Sequence, residues 1–249
     1  MIVHALTIYP VRVKYLALNN LKGSLPNELA LLFGLREINL FYNSLNGELP
    51  NFEGLVNLSS LNLQENLMTG TAFPSSLMTL PHLTSYRVSD NIFSENIPTD
   101  IGSMFDLEDL WVGGNELTGP IPSEIGNLRG LKTIYLNNNE LTGQIPSELG
   151  LITLEVLVMN DNKFFGTVPY ELWNIASLYT IVLGGNFLEG TLPNTIGQLT
   201  DLTTFRVEEN NLSGRIPETI GSITSLGKTN HGVILLILAT NYCKKKPLC

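Results

Sequence analysis

Cysteine is almost missing from these 249 residues: the only two, Cys243 and Cys249, fall within the last seven positions. No disulfide can staple the body of the chain, and no Cys/His zinc cluster can form there. Histidine is equally scarce; His4, His82 and His231 are too far apart in sequence to suggest a catalytic arrangement. Basic residues are few, 14 Lys and Arg against 23 Asp and Glu, for a net charge of −9. Such a balance argues against nucleic acid as a partner, because phosphate backbones reward basic stripes. Long apolar runs are missing too. The longest, Val233 to Ala239, is far short of the roughly 20 residues a helix needs to cross a bilayer. Met1 to Pro10 has neither the basic start nor the apolar stretch of a secretory signal.

What is abundant is leucine and asparagine, 44 and 26 residues, and both recur at a fixed period. Pro26, Pro50, Pro74, Pro98, Pro122, Pro146, Pro169, Pro193 and Pro217 stand 24 residues apart, with one interval of 23. Asparagines follow the same period at 43, 66, 91, 115, 139, 162, 186 and 210. Glycines do so at 23, 47, 70, 119, 143, 166, 190 and 214, with Glu95 on the one rung that lacks glycine. Such self-similarity marks a stacked-repeat architecture.

The unit generalises to LxxLxLxxNxLxGxIPxxLGxLxx, as in Leu131 to Gly150. Alternation around Ile134 and Leu136 predicts a short strand with one buried face. Asn139 closes it, offering an amide to backbone groups that a turn leaves unpaired. Gly143 admits a backbone conformation closed to other residues. Ile145-Pro146 forces an extended step, and Ser147-Glu148 reads as the start of a short helical piece. One unit cannot bury its leucines alone, so stacking must supply a shared core and a parallel sheet.

These residues resemble the plant-type leucine-rich repeat, whose hallmark is LxGxIPxxLGxL. The resemblance covers about residues 19–226. It implies an α/β solenoid, a curved superhelix with a parallel sheet on the concave face and short strands and 3₁₀ turns behind. It places the chain near the ectodomains of receptor-like kinases and receptor-like proteins and near polygalacturonase-inhibitor-like proteins. An extracellular or cell-surface location and a protein or peptide ligand follow from the resemblance; cofactor, metal and enzymatic activity are not implied.

Both ends depart from the pattern. Residues 1–18 read as irregular or truncated. The first repeat allows two phasings: one takes Leu16-Ala-Leu18 as the strand and is two residues short, the other puts Asn19 on the asparagine column but Lys14 at a buried position. At the far end the repeat stops near Leu226, since Thr229 and His231 fall where apolar residues belong. The tail 227–249 then reads as a cap with Cys243 and Cys249 as a possible disulfide, as unrelated sequence, or as a clipped anchor with a basic flank. Such ends also admit a gene-model fragment without function.

Among polar motifs, Glu208-Glu209 reads as a solvated charge pair, as do Asp90 and Asp161. Gly113-Gly114 and Gly184-Gly185 lack the flanking residues of phosphate loops. Asn57 and Asn211 open glycosylation sequons. Strand alternation leaves one residue per repeat pointing outward between two core aliphatics. That row contains Arg87, Trp111, Tyr135, Val158, Val182 and Arg206, a composition suited to binding. Trp111 and Tyr135 are expected at its centre, outside the core, so truncating Trp111 should barely affect stability. The isolated Arg87 and Arg206 do not form the close arginine pair with which similar receptors hold peptide carboxylates. Acidic residues Asp90, Asp109, Asp161, Glu208 and Glu209 would instead suit a basic hydrolase, the inhibitor alternative.

Overall fold

The computed structural model describes residues 13–226. The tail with Cys243 and Cys249, and the capping role considered for it, lie outside the described residues. Nine parallel strands form one sheet: Val13–Tyr15, Glu37–Asn39, Ser60–Asn62, Ser85–Arg87, Asp109–Trp111, Thr133–Tyr135, Val156–Val158, Thr180–Val182 and Thr204–Arg206. Each pairs only with the strand of the preceding and following repeat, so sheet order equals chain order. Leu110, Ile134, Leu157 and Ile181, the middle residues of successive strands, are buried, and so are Val112, Leu136, Met159 and Leu183 two positions on.

Behind the strands, short turns carry the chain back. Most are five-residue 3₁₀ turns that start after the repeat proline, such as Ser147–Leu151; one, Ser75–Met78, is α-helical. The turn at Ser147 differs from expectation: no side chain caps it. Instead the Pro146 carbonyl accepts the Leu149 N–H at 3.2 Å, so the helix-start signal is carried by the proline geometry.

Each rung is locked by its asparagine. Asn139 Nδ2 donates to the carbonyls of Val112, Leu136 and Asn137, and its Oδ1 accepts from Leu117 N–H at 2.9 Å. Asn162 and Asn186 repeat the same set one and two rungs on. The side chain therefore ties two successive repeats through groups a corner would leave unsatisfied.

Gly143 has φ +84°, and Glu95 on the glycine-free rung is driven to +73°. The secondary strands break at that same rung. A four-stranded lateral sheet ends with Ile92–Ser94, and a five-stranded one begins at Thr118–Gly119, joined by the single bridge between Asn96 and Thr118.

The first repeat adopts the second of its two phasings. Lys14 is in register with Ile38, and Asn43 Nδ2 donates to the Leu16 carbonyl at 2.9 Å. Among the described residues the sheet begins at Val13. Parallel pairing needs only backbone groups, so an atypical side chain at position 14 does not prevent it.

Candidate recognition face

Register builds the site. Arg87 pairs with Trp111, Trp111 with Tyr135, Tyr135 with Val158, Val158 with Val182 and Val182 with Arg206. These six side chains form one row across the outward face of the sheet, about 4.8 Å apart. All are half-buried except Arg206, which is exposed. Their strand neighbours are core residues, which is why the row has no other direction to point.

Trp111 does not stand free. The Arg87 guanidinium carbon lies 4.1 Å from the centroid of its ring, and the Tyr135 ring packs on it at 4.6 Å between centroids, tilted by 50°. Trp111 Nε1 donates to Thr133 Oγ1 at 2.9 Å; that hydroxyl donates to Asp109 Oδ1 at 2.6 Å; Asp109 Oδ2 accepts from Arg87 at 2.7 Å. Arg87, Asp109, Thr133 and Trp111 therefore close a ring of contacts. Arg87 Nε is buried without a hydrogen-bond partner, within the guanidinium that covers the indole. The expectation that Trp111 is energetically detached from the fold is corrected: it faces outward, yet it is clamped.

The charges of the face are largely spent internally. Arg206 holds Glu208 Oε1 at 2.6–2.8 Å, and the Glu208 side chain is only 12% exposed. Glu208 is thus not the solvated charge read from the sequence; its Gly184 neighbour leaves the space it lies in. Asp109 would be raised by burial alone, but hydrogen bonds from Thr133, Arg87 and Ser85, with the Arg87 charge, hold it below the usual carboxylate range. Burial raises Asp90, and burial first, then Tyr179, raises the Tyr135 phenol. Asp161 accepts the Asn160 amide at 2.6 Å. Of the five acids suited to a basic hydrolase, Asp109 and Glu208 already hold arginines.

Thr133 is not among the candidates the sequence offers, and Asp109 enters there only as an acid suited to a basic hydrolase, although a signal for their place beside Trp111 existed. Each lies two positions before a row residue, and strand alternation places residues i and i+2 on the same face. Tyr15 extends the row at its first rung; only the ambiguous phasing concealed it. The sequon residues Asn57 and Asn211 are both exposed and away from the row, with Asn57 Nδ2 donating to the Phe33 carbonyl at 2.8 Å. Among the described residues no group of three or more His, Cys, Asp or Glu could hold a metal ion, and no helix is long and apolar enough to cross a membrane.

Fold and face define a class: a repeat solenoid in which a constant scaffold displays one variable row. The Leucine Rich Repeat family model matches residues 106–128 and 130–151. Solved structures extend that likeness to most of the chain. The ectodomain of the receptor kinase GASSHO1/SCHENGEN3 from Arabidopsis thaliana, in complex with CASPARIAN STRIP INTEGRITY FACTOR 2, is 31% identical with a TM-score of 0.82, covering 86% of this chain and 26% of that one. The Arabidopsis receptor kinase HAESA, in complex with the peptide hormone IDA and the co-receptor SERK1, is 36% identical with a TM-score of 0.80, covering 88% of this chain and 37% of that one. A plant ice-binding protein is 28% identical with a TM-score of 0.65, covering 79% and 71%. No curated protein matches the sequence significantly. The chain is a leucine-rich-repeat solenoid similar to the plant receptor-kinase ectodomains, of whose length it spans 26% and 37%.

Proposed function

We propose that this chain is a peptide- or protein-binding module of a cell-surface or secreted recognition protein, acting through the row from Arg87 to Arg206. The observation that carries this reading is the stretch Trp111, Tyr135, Val158 and Val182, an outward, half-buried apolar strip on an otherwise polar sheet face. Aromatic anchors flanked by aliphatics are the usual composition of binding hot spots. The complexes of GASSHO1/SCHENGEN3 with CASPARIAN STRIP INTEGRITY FACTOR 2 and of HAESA with the peptide hormone IDA support the same use of this fold. Because both arginines of the row are neutralised within the chain, recognition rests on apolar contact and shape. The inhibitor alternative loses two of its five free acids to the same ion pairs.

Selection of binding peptides from a random display library against the intact chain tests this. Peptides so obtained should lose at least about thirtyfold in affinity for Trp111→Ala, the equivalent of about 2 kcal/mol. Selected binders that are indifferent to both Trp111→Ala and Val182→Asp would refute the assignment of the row.

A further inference from the structure

The first rungs of the same sheet carry a different surface. A trough of about 420 Å³ opens there, with Tyr15 at one end and the Arg87–Asp109 pair at the other. Its floor is two parallel rows set by register: Glu37, Ser60 and Ser85 in one, Asn39, Asn62 and Arg87 in the other. The rows lie two residues apart along each strand, and each repeats at the strand spacing of about 4.8 Å.

The chemistry of the floor is unusually open. Asn39 Oδ1 accepts from Phe41 N–H and Asn62 Oδ1 from Gln64 N–H, both at 3.1 Å. These bonds fix both amides while their Nδ2 donors have no partner among the described residues. The Ser60 hydroxyl is likewise unclaimed, and Glu37 uses one oxygen for the Tyr15 hydroxyl at 2.6 Å, the other having no partner among the described residues. A row of donors therefore runs beside a row of acceptors. Among the described residues the trough offers no free cation, because Arg87 is held by Asp109, and Glu37 leaves it slightly anionic.

We propose that this trough binds a linear, neutral, β-linked glycan, seated across about three rungs. The spacing favours a sugar chain over a peptide. An extended peptide advances about 3.3 Å per residue and turns the same face every second residue, out of step with rungs about 4.8 Å apart. A β-linked pyranose chain advances by nearly one rung per sugar, and although alternate rings of a β-1,4 chain are flipped, each ring carries hydroxyls on both edges that can meet the donor and acceptor of its rung. Hydroxyl groups both donate and accept, which suits the paired rows, and the exposed Tyr15 ring offers an apolar face to a terminal sugar. Free carboxylates on the ligand are disfavoured by Glu37.

Calorimetric titration of the intact chain with cellohexaose, xylohexaose, chitohexaose and a galacturonate hexamer tests the assignment. Saturable binding of at least one neutral hexamer, weakened at least tenfold by the double variant Asn39→Asp/Asn62→Asp, is the expected result. That variant keeps both Oδ1 acceptors for the loop N–H groups and removes the donors while adding two carboxylate charges, which a neutral hexamer does not repel, and an unchanged Tm confirms the fold. Ser60→Ala, which alters no charge, should weaken binding several-fold. Val182→Asp, at the far end of the face, should leave glycan affinity unchanged while abolishing peptide binding, which separates this site from the apolar strip. Absence of binding to all three neutral hexamers, preference for the galacturonate hexamer, or affinities unchanged in both trough variants would overturn the proposal.

Discussion

Two columns run the length of this solenoid, each contributing one residue per rung, and they behave in opposite ways. In the corner column the residue is asparagine on nearly every rung, with the same four bonds at Asn139, Asn162 and Asn186. In the face row no residue type fills more than two adjacent rungs: Tyr15, Asn39, Asn62, Arg87, Trp111, Tyr135, Val158, Val182, Arg206. Constancy in the first follows from geometry, since every corner leaves the same carbonyls and N–H group to satisfy. Variation in the second is possible because the backbone asks nothing of those side chains. A column that the fold does not constrain is free to encode a partner.

The sharpest way to break this contrast is to attack the constant column. Asn139→Ala leaves the buried Leu117 N–H unpaired and takes one of two donors from each of three carbonyls, and unfolding should become easier by about 1–3 kcal/mol, measured by denaturant titration. Once refolded at low temperature, the variant should still bind selected peptides. Replacing Trp111 with alanine reverses the balance. Affinity should fall by about 2 kcal/mol, while stability falls by about 1 kcal/mol through loss of the Arg87 and Tyr135 contacts.

A smaller effect comes from charge. Asp109→Asn keeps the shape of the clamp but releases the Arg87 charge. Peptides ending in a free carboxylate should then gain several-fold over their amidated forms, a preference the parent chain lacks. Equal affinities for both peptide forms in the variant would mean that Arg87 is not neutralised by Asp109 alone.

Acid titration gives the subtlest readout. The folded-state value of Asp109 is depressed, so its contribution to stability is present above the unfolded-state value and disappears as pH falls through the folded one. Trp111 emission, isolated in a Trp173→Phe background, should therefore hold steady through the ordinary Asp range near about 3.9 and shift only below it. A midpoint at or above that range contradicts the clamp.

Much of this was readable in the sequence. The 24-residue period fixed the strand register, and alternation around Leu110 and Val112, or Ile134 and Leu136, placed Trp111 and Tyr135 outward. Periodicity could not reveal what those side chains do to one another. The ring from Arg87 through Asp109 and Thr133 to Trp111 joins three different rungs, and pairing across rungs depends on rotamers rather than on spacing. The same holds for Glu208, whose burial depends on the space left by Gly184 on the preceding rung. Position 14 misled for another reason: a pattern search weighs side chains, whereas the first strand is held by backbone bonds to its neighbour.

One experiment bears most directly on the division between scaffold and face: measuring Tm and peptide affinity together for Trp111→Ala and Asn139→Ala. The account predicts a crossed result. Trp111→Ala should bind about thirtyfold more weakly, the equivalent of about 2 kcal/mol, with a modest loss of Tm. Asn139→Ala should show the larger loss of Tm and near-parental affinity at temperatures where it is folded. If affinity is unchanged in Trp111→Ala, or if it falls in step with Tm in both variants, the row from Arg87 to Arg206 is not the recognition surface.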